Sequence, residues 1–181
     1  YAVCTKFIVD LIMSTGLPEK FNCSLDTLIA YVWHCRRRYR AVPYHNFFHA
    51  VDACQTIYTY LHTGNVKQYL TDVEVFTLLI TALAHDLDHM GVNNSFHMKT
   101  DSPLGMLSSA SGNNSVLEVH HCNLAIEIIE DLGGNIFGGM TSAEKTAAYR
   151  TLIDTILATD MARHGEMLTA FDQMTSEGIN K

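Results

Sequence analysis

The stretch Thr71-Asp72-Val73-Glu74-Val75-Phe76-Thr77-Leu78-Leu79-Ile80-Thr81-Ala82-Leu83-Ala84-His85-Asp86-Leu87-Asp88-His89 decides how this chain of 181 residues folds. Thr71 followed three residues later by Glu74 is a capping box, in which each side chain satisfies a free N–H at a helix start. From Val75 to Ala84 the chain is apolar on nearly every face, so the pattern predicts a helix over 71–84 buried at the centre of the domain. Polarity then changes abruptly. His85-Asp86-Leu87-Asp88-His89 sets two imidazoles and two carboxylates beside the core, where such groups need partners or metal.

The rest of the chain continues the helical pattern. Ser115-x-x-Glu118 and Thr141-x-x-Glu144 read as two more capping boxes, each followed by apolar residues at helical spacing. Ser24 to Arg40 predicts a helix closed before Pro43, since a proline biases the preceding Val42 away from helix. Asn46 to Leu61 predicts another, stopped near Gly64, and Ser102-Pro103 reads as an N-cap and first-turn pair. No alternating run of strand length interrupts the series. The expected architecture is all-α, a single domain over residues 1–181.

Composition narrows the partners. With 48% apolar and 17% charged residues the chain can bury a sizeable core, which excludes disorder. A formal net charge of −7 argues against nucleic acid, and the basic cluster Arg36-Arg37-Arg38 with Arg40 reads as a solvated helix end favoured by the helix dipole. Metal ions could still supply local positive charge for an anionic phosphate. Five cysteines without C-x-x-C spacing suit buried thiols in a reducing, cytoplasmic setting, and no apolar run is long enough to span a bilayer. Association into a homodimer stays open. Neither Tyr1 nor Lys181 looks like a natural terminus, so the chain is expected to be part of a longer protein.

Chemistry concentrates in a few places. An adjacent His-Asp pair can bind one ion through imidazole and share its carboxylate with a second, as two-metal hydrolases do beside a phosphate ester. Upstream, Tyr44-His45-Asn46-Phe47-Phe48-His49 adds two histidines four residues apart, so two i,i+4 pairs can converge. Glu118 and His121 share a helix face while His120 points elsewhere, and Glu118 doubles as a capping-box residue. Asp160, in Thr159-Asp160-Met161, reads either as a helix cap or as a site residue. His34, His62, His97 and His164 read as structural, and Met90, Met98, Met106 and Phe47-Phe48 as core fillers. Gly112 and Gly133-Gly134 read as turns, and no phosphate-cradling glycine loop is present. A metal-dependent phosphohydrolase is the reading these residues favour.

Tyr44-His45-Asn46-x-x-His49-Ala50-x-Asp52 followed by His85-Asp86-x-Asp88-His89-x-Gly91-x-x-Asn94 resembles the class I 3′,5′-cyclic nucleotide phosphodiesterases. The resemblance continues through Ser115-Val116-Leu117-Glu118-x-His120-His121 and Leu157-Ala158-Thr159-Asp160-Met161. Residues 85–96 and the Ser102 to Asn114 stretch are most similar to the kinetoplastid enzymes. The resemblance implies an all-α catalytic domain, of which this chain is the N-terminal part. It also implies hydrolysis of a cyclic nucleotide, cAMP by the same resemblance, to the 5′-monophosphate with Zn²⁺ and Mg²⁺ (or Mn²⁺). His49, His85 and Asp86 match ligands of the first metal, Asp86 also reaches the second, and His45 matches the general acid for the leaving 3′ oxygen. His89, Glu118, His121, Thr159 and Asp160 match positions around the second metal and its waters, and Tyr44, Asn94 and Met161 match the substrate pocket.

The resemblance also implies elements that these residues do not include: a further aspartate ligand, an invariant glutamine and an aromatic purine clamp. Two other readings remain at this point. Another His-Asp phosphohydrolase, acting on nucleotides or cyclic dinucleotides, would not require Tyr44-His45-Asn46 beside His49. A non-catalytic regulatory module would keep the fold without turnover.

Overall fold

A computed structural model describes residues 2–130 and 133–177, all helix and connecting turns. The expected chain ends at Tyr1 and Lys181 lie outside the described residues. Among the described residues ten α-helices run in the order α1 (Ala2–Met13), α2 (Leu17–Lys20), α3 (Leu25–Arg38), α4 (Phe47–His62), α5 (Asp72–Ala82), α6 (Asn94–Lys99), α7 (Pro103–Ser111), α8 (Val116–Glu130), α9 (Ser142–Ala158) and α10 (His164–Glu177). Short 3₁₀ turns at Val66–Tyr69 and Met161–Arg163 join α4 to α5 and α9 to α10. Among the described residues no strand is present, in line with the all-α expectation.

Helix α5 is the axis of the core. Thr71 Oγ1 accepts from Glu74 N–H while the Glu74 carboxylate accepts from Thr71 N–H, so both halves of the expected capping box form. Val75, Phe76, Leu79 and Ile80 are fully buried, and α5 packs against both α4 and α9. Phe76 lies between Phe21 and Phe137, with ring centroids 5.5 and 6.5 Å away. The helix is shorter than the sequence pattern predicts. It ends at Ala82, and Leu83 to Asp88 form successive turns, so the apolar run continues past the last helical residue.

The Tyr39 hydroxyl fills that break. It donates to Leu83 O at 3.2 Å and accepts from Asp86 N–H at 3.4 Å, satisfying groups that the ended helix leaves open. Ser102 caps its helix as expected, Ser24 and Asn46 also cap theirs, and Thr141 with Glu144 completes a second capping box. Gly105 permits a close approach: a Cβ there would stand 2.2 Å from His97 O, pulling α7 off α6.

Four further expectations need correction. The Ser115–Glu118 capping box does not form, because Ser115 Oγ donates to Asp160 and Glu118 accepts from Asn94. Helix α3 ends at Arg38, two residues short of Arg40. The basic cluster is not simply solvated: Arg38 pairs with Glu127 on α8, Arg40 pairs with Asp88, and Arg37 lies over the Trp33 ring. Met106 and Phe48 are exposed rather than core, as their helix faces turn outward. The cysteines behave as expected, all free, with Cys23, Cys35, Cys54 and Cys122 buried. Burial pushes the Cys35 thiol up to about 12, which keeps it protonated. No described helix is long and apolar enough to cross a membrane.

Candidate metal centre and active-site cleft

The site grows from three segments that the fold brings together. The turns after α5 carry His85, Asp86 and His89; the segment before α4 and its first turns carry Tyr44, His45 and His49; α8 carries Glu118 and His121. Asn46 holds the second segment in shape. Its Oδ1 accepts from Phe48 N–H and its Nδ2 donates to Val42 O, both at 2.9 Å, so the chain turns sharply between Val42 and α4. A cleft of about 820 Å³ opens over these segments. Its walls include all twelve residues singled out in the sequence: Tyr44, His45, His49, His85, Asp86, His89, Asn94, Glu118, His121, Thr159, Asp160 and Met161.

At the floor His49 Nε2, His85 Nε2 and Asp86 Oδ2 face one another. The two nitrogens are 3.2 Å apart and each lies 3.3 Å from the carboxylate oxygen. Donors bound about 2.0–2.1 Å from one ion at tetrahedral angles stand about 3.3–3.4 Å apart, so this triangle fits a divalent cation without rearrangement. His85 Nδ1 is 2.9 Å from Ala82 O, which accepts its N–H and leaves the Nε2 lone pair to face the site. His121 is oriented likewise, Nδ1 lying 2.6 Å from Leu87 O and Nε2 turned to Asp86 Oδ1 at 3.8 Å. Asp86, His89 and His121 form a second group of donors converging on a point, with Asp86 common to both.

Electrostatics match this arrangement. Burial would raise the Asp86 pKa, yet His85, His121 and His45 around it hold the carboxyl well below the usual range. Burial lowers His121 to about 4, and it also lowers His49 and His89, which favours the neutral form of each imidazole. Burial opposes protonation of His85 too, but the Asp86 carboxylate outweighs it and raises that pKa.

His89 differs in tautomer. Its Nδ1 accepts from Gly91 N–H at 3.0 Å, so in the neutral ring the proton sits on Nε2, suited to hydrogen-bond a water or an oxyanion rather than bind metal directly. The His45 ring stacks on His89, centroids 3.9 Å apart and planes 19° apart, and meets Tyr44 and His49 edge-on.

The matching pattern of a whole family now bears on the site. The sequence profile of the 3′,5′-cyclic nucleotide phosphodiesterases matches residues 44–181. The chain belongs to this family. It is 34% identical over 173 residues to the cGMP-specific 3′,5′-cyclic phosphodiesterases of Drosophila virilis and Drosophila melanogaster, covering 96% of this chain but 19% and 15% of theirs. The structure of LmjPDEB1 in complex with IBMX superposes with a TM-score of 0.95 at 56% identity, covering 98% of this chain and 53% of that one. The phosphodiesterase domain of the Salpingoeca rosetta rhodopsin phosphodiesterase gives 0.90 at 34% identity, covering 97% of this chain and 52% of that one. The chain therefore spans about half the length of the solved domains it matches, and a smaller part of the curated relatives. Membership sets aside the reading as an unrelated His-Asp phosphohydrolase.

The structure adds partners that the sequence did not show for these residues. Asn94 lines the cleft but spends both polar atoms on α8: Oδ1 accepts from Leu117 N–H at 2.9 Å and Nδ2 donates to Glu118 Oε2 at 2.8 Å. Burial raises the Glu118 pKa, although Asn94 opposes this. Ser115 Oγ donates to Asp160 Oδ2 at 2.6 Å, joining α8 to the junction of α9 and α10, while Asp160 Oδ1 accepts from Ala162 N–H. Asp160 caps a 3₁₀ turn and also lines the cleft. Tyr39 and Ser115 act through tertiary hydrogen bonds, which leave no local sequence signal.

Proposed function

We propose that this chain is the N-terminal part of a catalytic domain that hydrolyses a 3′,5′-cyclic nucleotide to the 5′-monophosphate. The observation that carries the proposal is the triangle of His49, His85 and Asp86 donors at the floor of a cleft beside the stacked His45 and His89. His49, His85 and Asp86 would hold the first divalent ion, Zn²⁺ in this reading. Asp86, with His89, Glu118, His121, Thr159 and Asp160 arranged around it, would serve a second, Mg²⁺ or Mn²⁺. Bound there, such ions neutralise phosphate charge and lower the pKa of water.

The protein's own groups do the rest. Water adds to phosphorus and the P–O3′ bond breaks. The 3′ oxygen takes a proton from His45, and the proton released by the water restores the balance. His89, as an Nε2–H donor, orients a water or phosphate oxygen. Tyr44 and Met161, 65% and 74% exposed at the cleft rim, offer apolar surface to the nucleoside.

We further propose cAMP as the substrate, on the similarity of residues 85–96 to kinetoplastid enzymes, although the curated relatives are named cGMP-specific. Hydrolysis of cAMP and cGMP measured side by side with the full-length protein, with metal content determined on the same preparation, tests both statements. Turnover of cGMP alone would overturn the substrate choice, and turnover of neither by metal-loaded protein would overturn the function.

A further inference from the structure

The turns that carry His85, Asp86 and His89 are not a helix, so their shape depends on tethers from elsewhere. Asp88 is tethered through both its backbone and its carboxylate. It sits in the left-handed region at φ 60°, a conformation that aspartate and asparagine tolerate better than most side chains. There its N–H donates to Arg38 O at 3.0 Å, locking the turn to the end of α3. Its carboxylate points away from the cleft and is shared: Arg40 Nε donates to Oδ1 at 2.6 Å, and His120 Nε2 lies 2.9 Å from Oδ2. The Asp88 side chain is 25% exposed and that of His120 19%.

The two partners belong to different segments that carry site residues. Arg40 lies in the segment between α3 and α4, five residues before His45, whereas His120 adjoins His121 on α8. One carboxylate thus joins the wall carrying the candidate acid, the turns carrying the donor triangle, and the helix carrying His121. We infer that Asp88 is a positioning residue, whose bridge from Arg40 to His120 sets the place of His45 over His89 and the reacting phosphate. The inference rests on the cyclic nucleotide hydrolysis proposed above. Its physical basis is that misplacing a reacting group by about 1 Å costs on the order of 10²-fold in rate.

The test uses the full-length metal-loaded protein and the substitution Asp88→Asn, which keeps the shape and the tolerance of left-handed backbone but removes the shared charge. Two substrates are compared: the cyclic nucleotide, whose alkoxide leaving group needs a proton, and bis(p-nitrophenyl) phosphate, whose leaving group does not. The expected result is a fall in kcat of about 10–100-fold on the cyclic nucleotide with KM little changed, and a much smaller fall on the activated diester, at unchanged metal content. Arg40→Gln should show the same split more weakly, and the double substitution should cost less than the product of the two. Equal losses on both substrates, or no loss, would overturn the inference. Should Asp88→Asn fail to fold, the split in Arg40→Gln decides it alone. Failure of the unsubstituted protein on cyclic nucleotide would instead overturn the proposed function, so the two failures are distinct.

Discussion

His49 Nε2 lies 3.2 Å from His85 Nε2, although the two residues belong to different segments and each nitrogen is also 3.3 Å from Asp86 Oδ2. Burial and the neighbouring His85 lower the His49 pKa, so the pair is not a stable meeting of two imidazolium ions. A cation between the donors would relieve the crowding of lone pairs and satisfy the buried carboxylate.

Metal analysis checks this directly. Asp86→Asn in the full-length protein should lower bound metal well below that of the unsubstituted protein. Activity should fall by more than the roughly 10–100-fold typical of changing an outer partner of a metal ligand. Full metal occupancy in Asp86→Asn would exclude the triangle as the primary site.

His45→Ala should behave differently. Because a positioned general acid is worth about 10²–10⁴-fold in rate, turnover on cyclic nucleotide should drop by that order while metal content stays intact. A substrate with a good leaving group should recover part of the loss. Loss of metal in this variant would make His45 a ligand rather than the acid.

Acid should weaken the metal-free protein through His121. Its folded pKa is lowered to about 4 by burial, against an ordinary value of 6.5, so the unfolded chain takes up a proton that the folded chain refuses. The contribution is fully present above about pH 6.5 and is lost progressively as pH falls towards about 4, by up to roughly 3 kcal/mol. Urea unfolding in chelator at pH 7 and pH 5 should show the decline, and His121→Asn should flatten it. An unchanged slope would mean that other groups carry the acid sensitivity.

Phe76→Ala should cost about 3–5 kcal/mol, since the ring is fully buried between Phe21 and Phe137 and its loss leaves a cavity in the core. Chemical denaturation reads this out. A loss below about 1 kcal/mol would show that α5 is not the axis of the core.

Residues 1–181 expressed alone should self-associate. Met167, Leu168, Phe171 and Met174 form an apolar stripe on α10, each at least 37% exposed. Light scattering should report a mass above the monomer, and Leu168→Glu with Phe171→Glu should bring it down. A monomer before substitution would show that the stripe is tolerated in water.

Local rules were enough for much of this protein. The capping boxes at Thr71 and Thr141 and the cap at Ser102 were legible because each involves groups within three residues of one another. The buried α5 was legible from its unbroken apolar run, and the donor residues from the density of imidazole and carboxylate after it. What only the tertiary structure decided were the long-range competitions. Ser115 and Glu118 have the spacing of a capping box, but Asp160 and Asn94, distant in sequence, take their hydrogen bonds instead. The same holds for the Tyr39 hydroxyl that replaces the last turn of α5, and for the carboxylate of Asp88 shared between Arg40 and His120. A side chain reveals in sequence what it can donate or accept; which partner it meets depends on how the helices pack.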